Sequence, residues 1–137
     1  MIHHFHHAHL FASNIDASLK FYREMFGAEI LADVLMAGAR NVFVAIGQGR
    51  LHFYDQPAKD QGRGTIHHLG IQTDDLEPLV SHMKAKGVPF RKEIADFAFW
   101  KYVMVLAPDN VLLELFEIVK EKLPEGDLKK LERISLG

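Results

Sequence analysis

Two stretches decide the fold: His7-Ala8-His9-Leu10-Phe11-Ala12-Ser13-Asn14-Ile15-Asp16 and, at an offset of 61 residues, His68-Leu69-Gly70-Ile71-Gln72-Thr73-Asp74-Asp75-Leu76-Glu77. Each reads as a strand that runs into a polar helix cap, Asn14 or Asp75, then an apolar residue and an acid. A helical stretch follows in both, Ala17 to Phe26 and Leu79 to Lys86, and each stops at a glycine, Gly27 or Gly87. Glycine just past a helix takes up the left-handed conformation that other residues resist. At the same offset, Val42-Phe43-Val44-Ala45-Ile46 lies over Val103-Met104-Val105-Leu106-Ala107. Two turns come next, Gly47-Gln48-Gly49 and Pro108-Asp109-Asn110. The last strands, Leu51-His52-Phe53-Tyr54 and Leu113-Glu114-Leu115-Phe116, are offset by 62, as a one-residue turn insertion predicts.

The chain is therefore an internal repeat. Module one covers 1–57, module two 64–118, and a charged extension, broken at Pro124, covers 119–137. The stretch from Pro57 to Gly64, rich in glycine and charge, reads as the linker. With 137 residues, 48% of them hydrophobic, the expectation is a single α+β domain with a real core. Lys plus Arg number 16 against 18 for Asp plus Glu, a net charge of -2, which gives no basis for a nucleic-acid or membrane partner. Cysteine is absent, so disulfides and thiolate zinc sites are excluded. No apolar run is long enough to span a bilayer, and the histidine-rich start is not a secretory signal, so a cytoplasmic protein is expected.

Alternate residues of a strand share a face. In the first strand Ala8, Leu10 and Ala12 are apolar and small enough to lie under a helix, while His7, His9 and Phe11 face away. In its repeat, Leu69 and Ile71 pack, and His68, Gly70 and Gln72 face away. The last strand of module one puts Leu51 and Phe53 in the core, with Arg50, His52 and Tyr54 opposite. In its repeat, Val111, Leu113 and Leu115 are core, and Leu112, Glu114 and Phe116 are opposite. Four strands thus turn His7, His52, His68 and Glu114 away from the helices. A carboxylate in the apolar run Val111 to Phe116 would be costly to bury unless it were paired or bound a cation. Imidazole and carboxylate suit zinc, nickel, cobalt, manganese or iron. Four protein ligands of an octahedral six leave two positions for substrate or water.

These residues resemble the vicinal oxygen chelate superfamily, which includes glyoxalase I, methylmalonyl-CoA epimerase, extradiol dioxygenases and the fosfomycin and bleomycin resistance proteins. The resemblance is carried by His7 through Asn14-Ile15-Asp16 to Phe21-Tyr22 with Phe26-Gly27, and by Ile66-His67-His68-Leu69-Gly70 to Asp74-Asp75-Leu76 with Lys86-Gly87-Val88. A third match is Ala107-Pro108-Asp109-Asn110 running into Glu114-Leu115-Phe116-Glu117. It implies two βαβββ modules forming an eight-stranded half-open barrel with helices outside, one divalent metal ion, a small-molecule substrate and a homodimer. It also implies His7, His68 and Glu114 as ligands. At the fourth position the proton-transfer members carry Glu or Gln, whereas this chain has His52, which leaves the site more positive by one than a set of two histidines and two glutamates.

The reading that follows is a lyase or isomerase working through a metal-stabilised enolate, glyoxalase I-like or epimerase-like. Glu114 is the first candidate base and His9 the second, since imidazole titrates near neutrality. Phe11, Tyr54, Gln72 and Phe116 are expected to line the pocket, and Arg50 to receive an anionic group. Two alternatives stand beside this: an Fe(II) extradiol-type ring-cleaving dioxygenase, and a non-catalytic small-molecule binding or resistance protein. His3, His4 and His6 read as a solvated entry to the first strand, able to bind stray metal.

Overall fold

Module one is built on the strand β1 (Ala8–Ala12), the helix α1 (Ile15–Phe26) and the strands β2 (Glu29–Met36), β3 (Ala39–Ile46) and β4 (Gly49–Asp55). Module two repeats the pattern with β5 (Leu69–Gln72), α2 (Leu76–Ala85), β6 (Ala95–Phe97), β7 (Trp100–Ala107) and β8 (Val111–Ile118). These elements come from a computed structural model that describes residues 1–60, 64, 66–124 and 126. The chain divides into two compact units, Met1–Gly62 and Arg63–Gly137, each with its own sheet. The expected α+β pattern of two βαβββ modules is what the chain adopts. Gln61, Gly62 and Arg63 of the expected linker, and Glu125 and residues 127 onward of the extension, lie outside the described residues.

The two sheets have the same order, β1-β4-β3-β2 and β5-β8-β7-β6, with one parallel pair at one end of each. Ala8 pairs with Leu51 and Leu69 with Leu113, so the register steps from an offset of 61 to one of 62. The extra residue sits where expected. Ile46 pairs with Gly49 across two residues, whereas Ala107 pairs with Val111 across three. A second shared feature is the turn before β3 and β7. Ala37 and Ala98, 61 residues apart, both have positive φ, 54° and 65°. In module one Gly38 follows at φ 81°, giving the doubly left-handed turn that suits a two-residue hairpin.

Each helix buries one stripe. Ile15, Leu19, Tyr22 and Met25 of α1 recur every three or four residues, and Tyr22 meets Phe53 of β4 with ring centroids 5.3 Å apart. Leu76, Val80 and Met83 do the same in α2, above a β8 whose Leu113 and Leu115 are fully buried. α1 begins at Ile15, two residues before the expected Ala17, but its cap is the expected one: the Asn14 side chain accepts a hydrogen bond from the Ala17 N–H at 3.1 Å. It stops at Gly27, whose N–H donates to the Arg23 carbonyl at 3.0 Å. α2 departs from expectation. It begins at Leu76 rather than Leu79, because Pro78 falls in the first turn, where a missing N–H costs nothing. Asp75 makes no side-chain cap; the carboxylate of Glu117, on β8, accepts the Leu76 N–H at 2.8 Å instead.

Candidate metal centre

The face of the first sheet turned from α1 gathers imidazole and aromatic rings. His9 and His52 are direct cross-strand partners in the parallel β1–β4 pair, and their ring centroids lie 4.3 Å apart. His7, just before β1, has its ring 5.6 Å from that of His52. Phe43, the partner of His52 on β3, stacks on it at 4.0 Å with planes 17° apart. His52 is thereby the most enclosed histidine of the group, 8% exposed, whereas His9 is exposed. Burial, and then the neighbouring His9 and His7, hold its imidazole below the ordinary histidine value.

Two residues that sequence reading missed complete this face. Asn41 of β3 is 2% exposed and lies 2.7 Å, Oδ1 to Nε2, from His52. Its Nδ2 donates to the carbonyls of Met36 at 2.9 Å and Ala39 at 3.0 Å. Phe43 is the second. The available signal was a polar Asn alternating with Phe on the same face of an otherwise apolar strand. Tyr54, expected to line a pocket, has its hydroxyl donating to the Ala37 carbonyl at 3.1 Å. Phe11 packs its ring 6.3 Å from that of Tyr54. Arg50 is half-buried at the start of β4.

In the second sheet Gly70 and Gln72 pair with Glu114 and Phe116, so all four share the face turned from α2. Glu114 is half-buried. Its cross-strand partners are Gly70 and Met104. Phe116 stacks on Trp100 at 4.4 Å with planes 5° apart, and its Cε1 would stand 3.2 Å from a Cβ added to Gly70. His68 is exposed and precedes β5 as His7 precedes β1. The repeat extends one residue further back than the sequence reading took it: Nδ1 of His67 lies 2.8 Å from Nδ1 of His68, and Nδ1 of His6 lies 2.9 Å from that of His7.

Among the described residues no three His, Asp or Glu side chains converge as a ligand set. Within module one the donor chemistry suits a divalent cation: the buried His52 imidazole has a second imidazole, that of His7, beside it. An open groove of about 590 Å³ between α1 and strands β2 and β3 holds none of the expected ligands or pocket residues. Its Arg40 is already bridged to Asp16 and Asp33, each at 2.8 Å.

Comparison with known proteins agrees with the fold. The Glyoxalase/Bleomycin resistance protein/Dioxygenase superfamily profile matches residues 4–115. The chain is 23% identical to a lactoylglutathione lyase of Schizosaccharomyces pombe, across 80% of its own length and 45% of the lyase. It is 30% identical to a probable chloroplastic lactoylglutathione lyase of Arabidopsis thaliana, across 76% of itself and 33% of that protein. The chain thus spans less than half the length of either. Among solved structures it resembles the fosfomycin resistance protein FosX of Listeria monocytogenes, crystallised with Mn(II) and sulfate, at a TM-score of 0.71 and 20% identity. That match covers 89% of this chain and 98% of FosX. A glyoxalase family protein from Enterococcus faecalis matches at a TM-score of 0.69 and 24% identity, covering 83% and 97%. With the repeated βαβββ pattern and a profile match over both modules, this chain belongs to the Glyoxalase/Bleomycin resistance protein/Dioxygenase superfamily.

Proposed function

We propose that the chain is a metal-dependent lyase or isomerase that moves a proton between neighbouring carbons of a small carbonyl substrate. The observation that carries this reading is the matched pair of positions, His52 opposite His9 in one sheet and Glu114 opposite Gly70 in the other. His7, His52, His68 and Glu114 would hold one divalent cation, which when bound supplies a Lewis acid that polarises a carbonyl. Glu114 takes the proton from the acidic C–H and returns it to the adjacent carbon, with His9 as the alternative base. Phe11, Tyr54, Gln72 and Phe116 line the substrate's path, and Arg50 receives an anionic group. The two lactoylglutathione lyases support thiohemiacetals as the first substrates to try. A homodimer fits the exposure of Leu31, Val34, Leu35 and Met36 on the edge strand β2.

The test is bound metal per chain in a background with His3, His4 and His6 replaced. Wild type retains about one ion, and His68→Ala with Glu114→Ala retains little. Full occupancy in the double variant refutes the ligand set. Solvent deuterium incorporation into 2-hydroxy acids, thiohemiacetals and acyl-CoA thioesters then reads the chemistry, and no exchange with any of them refutes proton transfer.

A further inference from the structure

Asn41 has two amide hydrogens and one carbonyl oxygen, and its surroundings dictate which faces which way. Its nitrogen stands 2.9 and 3.0 Å from two backbone carbonyls, Met36 O and Ala39 O, which can only accept. Turning the amide over would set oxygen against two oxygens in a site that is 2% exposed. The Oδ1 is therefore fixed toward His52, and at 2.7 Å it can only accept the proton of Nε2. Phe43, stacked at 4.0 Å, keeps the ring from rotating out of that bond.

From this geometry we infer that Asn41 is a positioning residue that locks His52 as its Nε2–H tautomer, so that Nδ1 is the atom His52 offers to a cation. The inference rests on the proposed ligand set and deepens it. A ligating histidine commonly gives its other N–H to a neighbouring acceptor, which sets tautomer and ring orientation. Here the acceptor is itself held by the β2–β3 turn, through the carbonyls of Met36 and Ala39 on either side of it. Module two has Tyr102 at the place of Asn41, 61 residues on, and no such bond is needed there because Glu114 has no tautomer to fix.

The experiment is a long-range ¹⁵N–¹H spectrum of the full-length, metal-free protein, with His52 assigned by its loss in His52→Gln, followed by titration with Zn²⁺. The expected result is a protonated Nε2 and a bare Nδ1, with zinc shifting Nδ1 while Nε2 keeps its proton. An Nδ1–H tautomer, or zinc arriving at Nε2, overturns the inference. Zinc that binds while leaving both His52 nitrogens unshifted also overturns it but leaves a metal centre standing; no zinc binding by wild type overturns both. In Asn41→Leu the tautomers mix and zinc affinity falls by about 10- to 100-fold, a loss that disappears in a His52→Ala background. If it persists there, Asn41 acts through the fold and not through His52. Should Asn41→Leu fail to fold, the wild-type spectrum alone decides.

Discussion

The two modules share strand order, register and even a left-handed alanine in the same turn, yet their open faces carry opposite chemistry. Module one encloses an imidazole between Phe43 and His9 and satisfies it with Asn41. Module two has a half-buried carboxylate at the equivalent place and surrounds it with Gly70, Met104 and a Trp100–Phe116 stack. The core side of each sheet explains the likeness, because helix-facing positions such as Phe53 and Leu115 need only be apolar and of suitable volume. The other face is free of that constraint. Duplicated backbones fix where a side chain points, and single substitutions then decide what it does.

The sharpest way to break the comparison is to give module two the bulk that module one has at position 9. Gly70→Val presses a Cβ onto Phe116 and should destabilise the protein by about 1–3 kcal/mol in urea unfolding. In a Phe116→Ala background the additional penalty should shrink by at least half; equal penalties in both would show that Phe116 is not the obstacle. The helix starts come next. Asn14→Ala should cost about 1 kcal/mol and Asp75→Ala less than about 0.5, because only the first accepts a backbone N–H. Glu117→Ala should carry the cost missing at Asp75, about 1 kcal/mol. Equal losses at Asn14 and Asp75 would restore the symmetry that the sequence suggests. The smallest effect is electrostatic. Hydrogen bonding to Arg40 holds Asp33 below the ordinary aspartate value, and module two has Ile94 and Lys101 in those places. A depressed folded-state value gives stability that is present above the unfolded value and lost as pH falls through the folded one. Asp33→Asn should flatten the acid limb of the stability profile slightly, and an unchanged limb would remove the pair from the account.

Periodicity and repetition made the architecture legible in the sequence, since alternation alone separates Leu51 and Phe53 from His52 and Tyr54. The extra residue before β8 was visible as a change of offset. What stayed hidden depends on distance in space. Glu117 caps a helix whose first residue lies 41 positions earlier, and no local pattern reports that. Asn41 reads as an ordinary strand residue until the turn beside it sets two carbonyls within reach. The Phe116 ring over Gly70 is likewise a contact across the ladder that the residues on either side do not announce.

The Ala37–Gly38 turn carries a further consequence. An exposed hairpin tip with an alanine at positive φ is ordinarily among the first parts of a protein to fray. Asn41 grips the carbonyls of Met36 and Ala39, and Tyr54 grips that of Ala37. Opening the tip would therefore release the acceptor that holds His52, which ties the order of an interior imidazole to the closure of a surface turn.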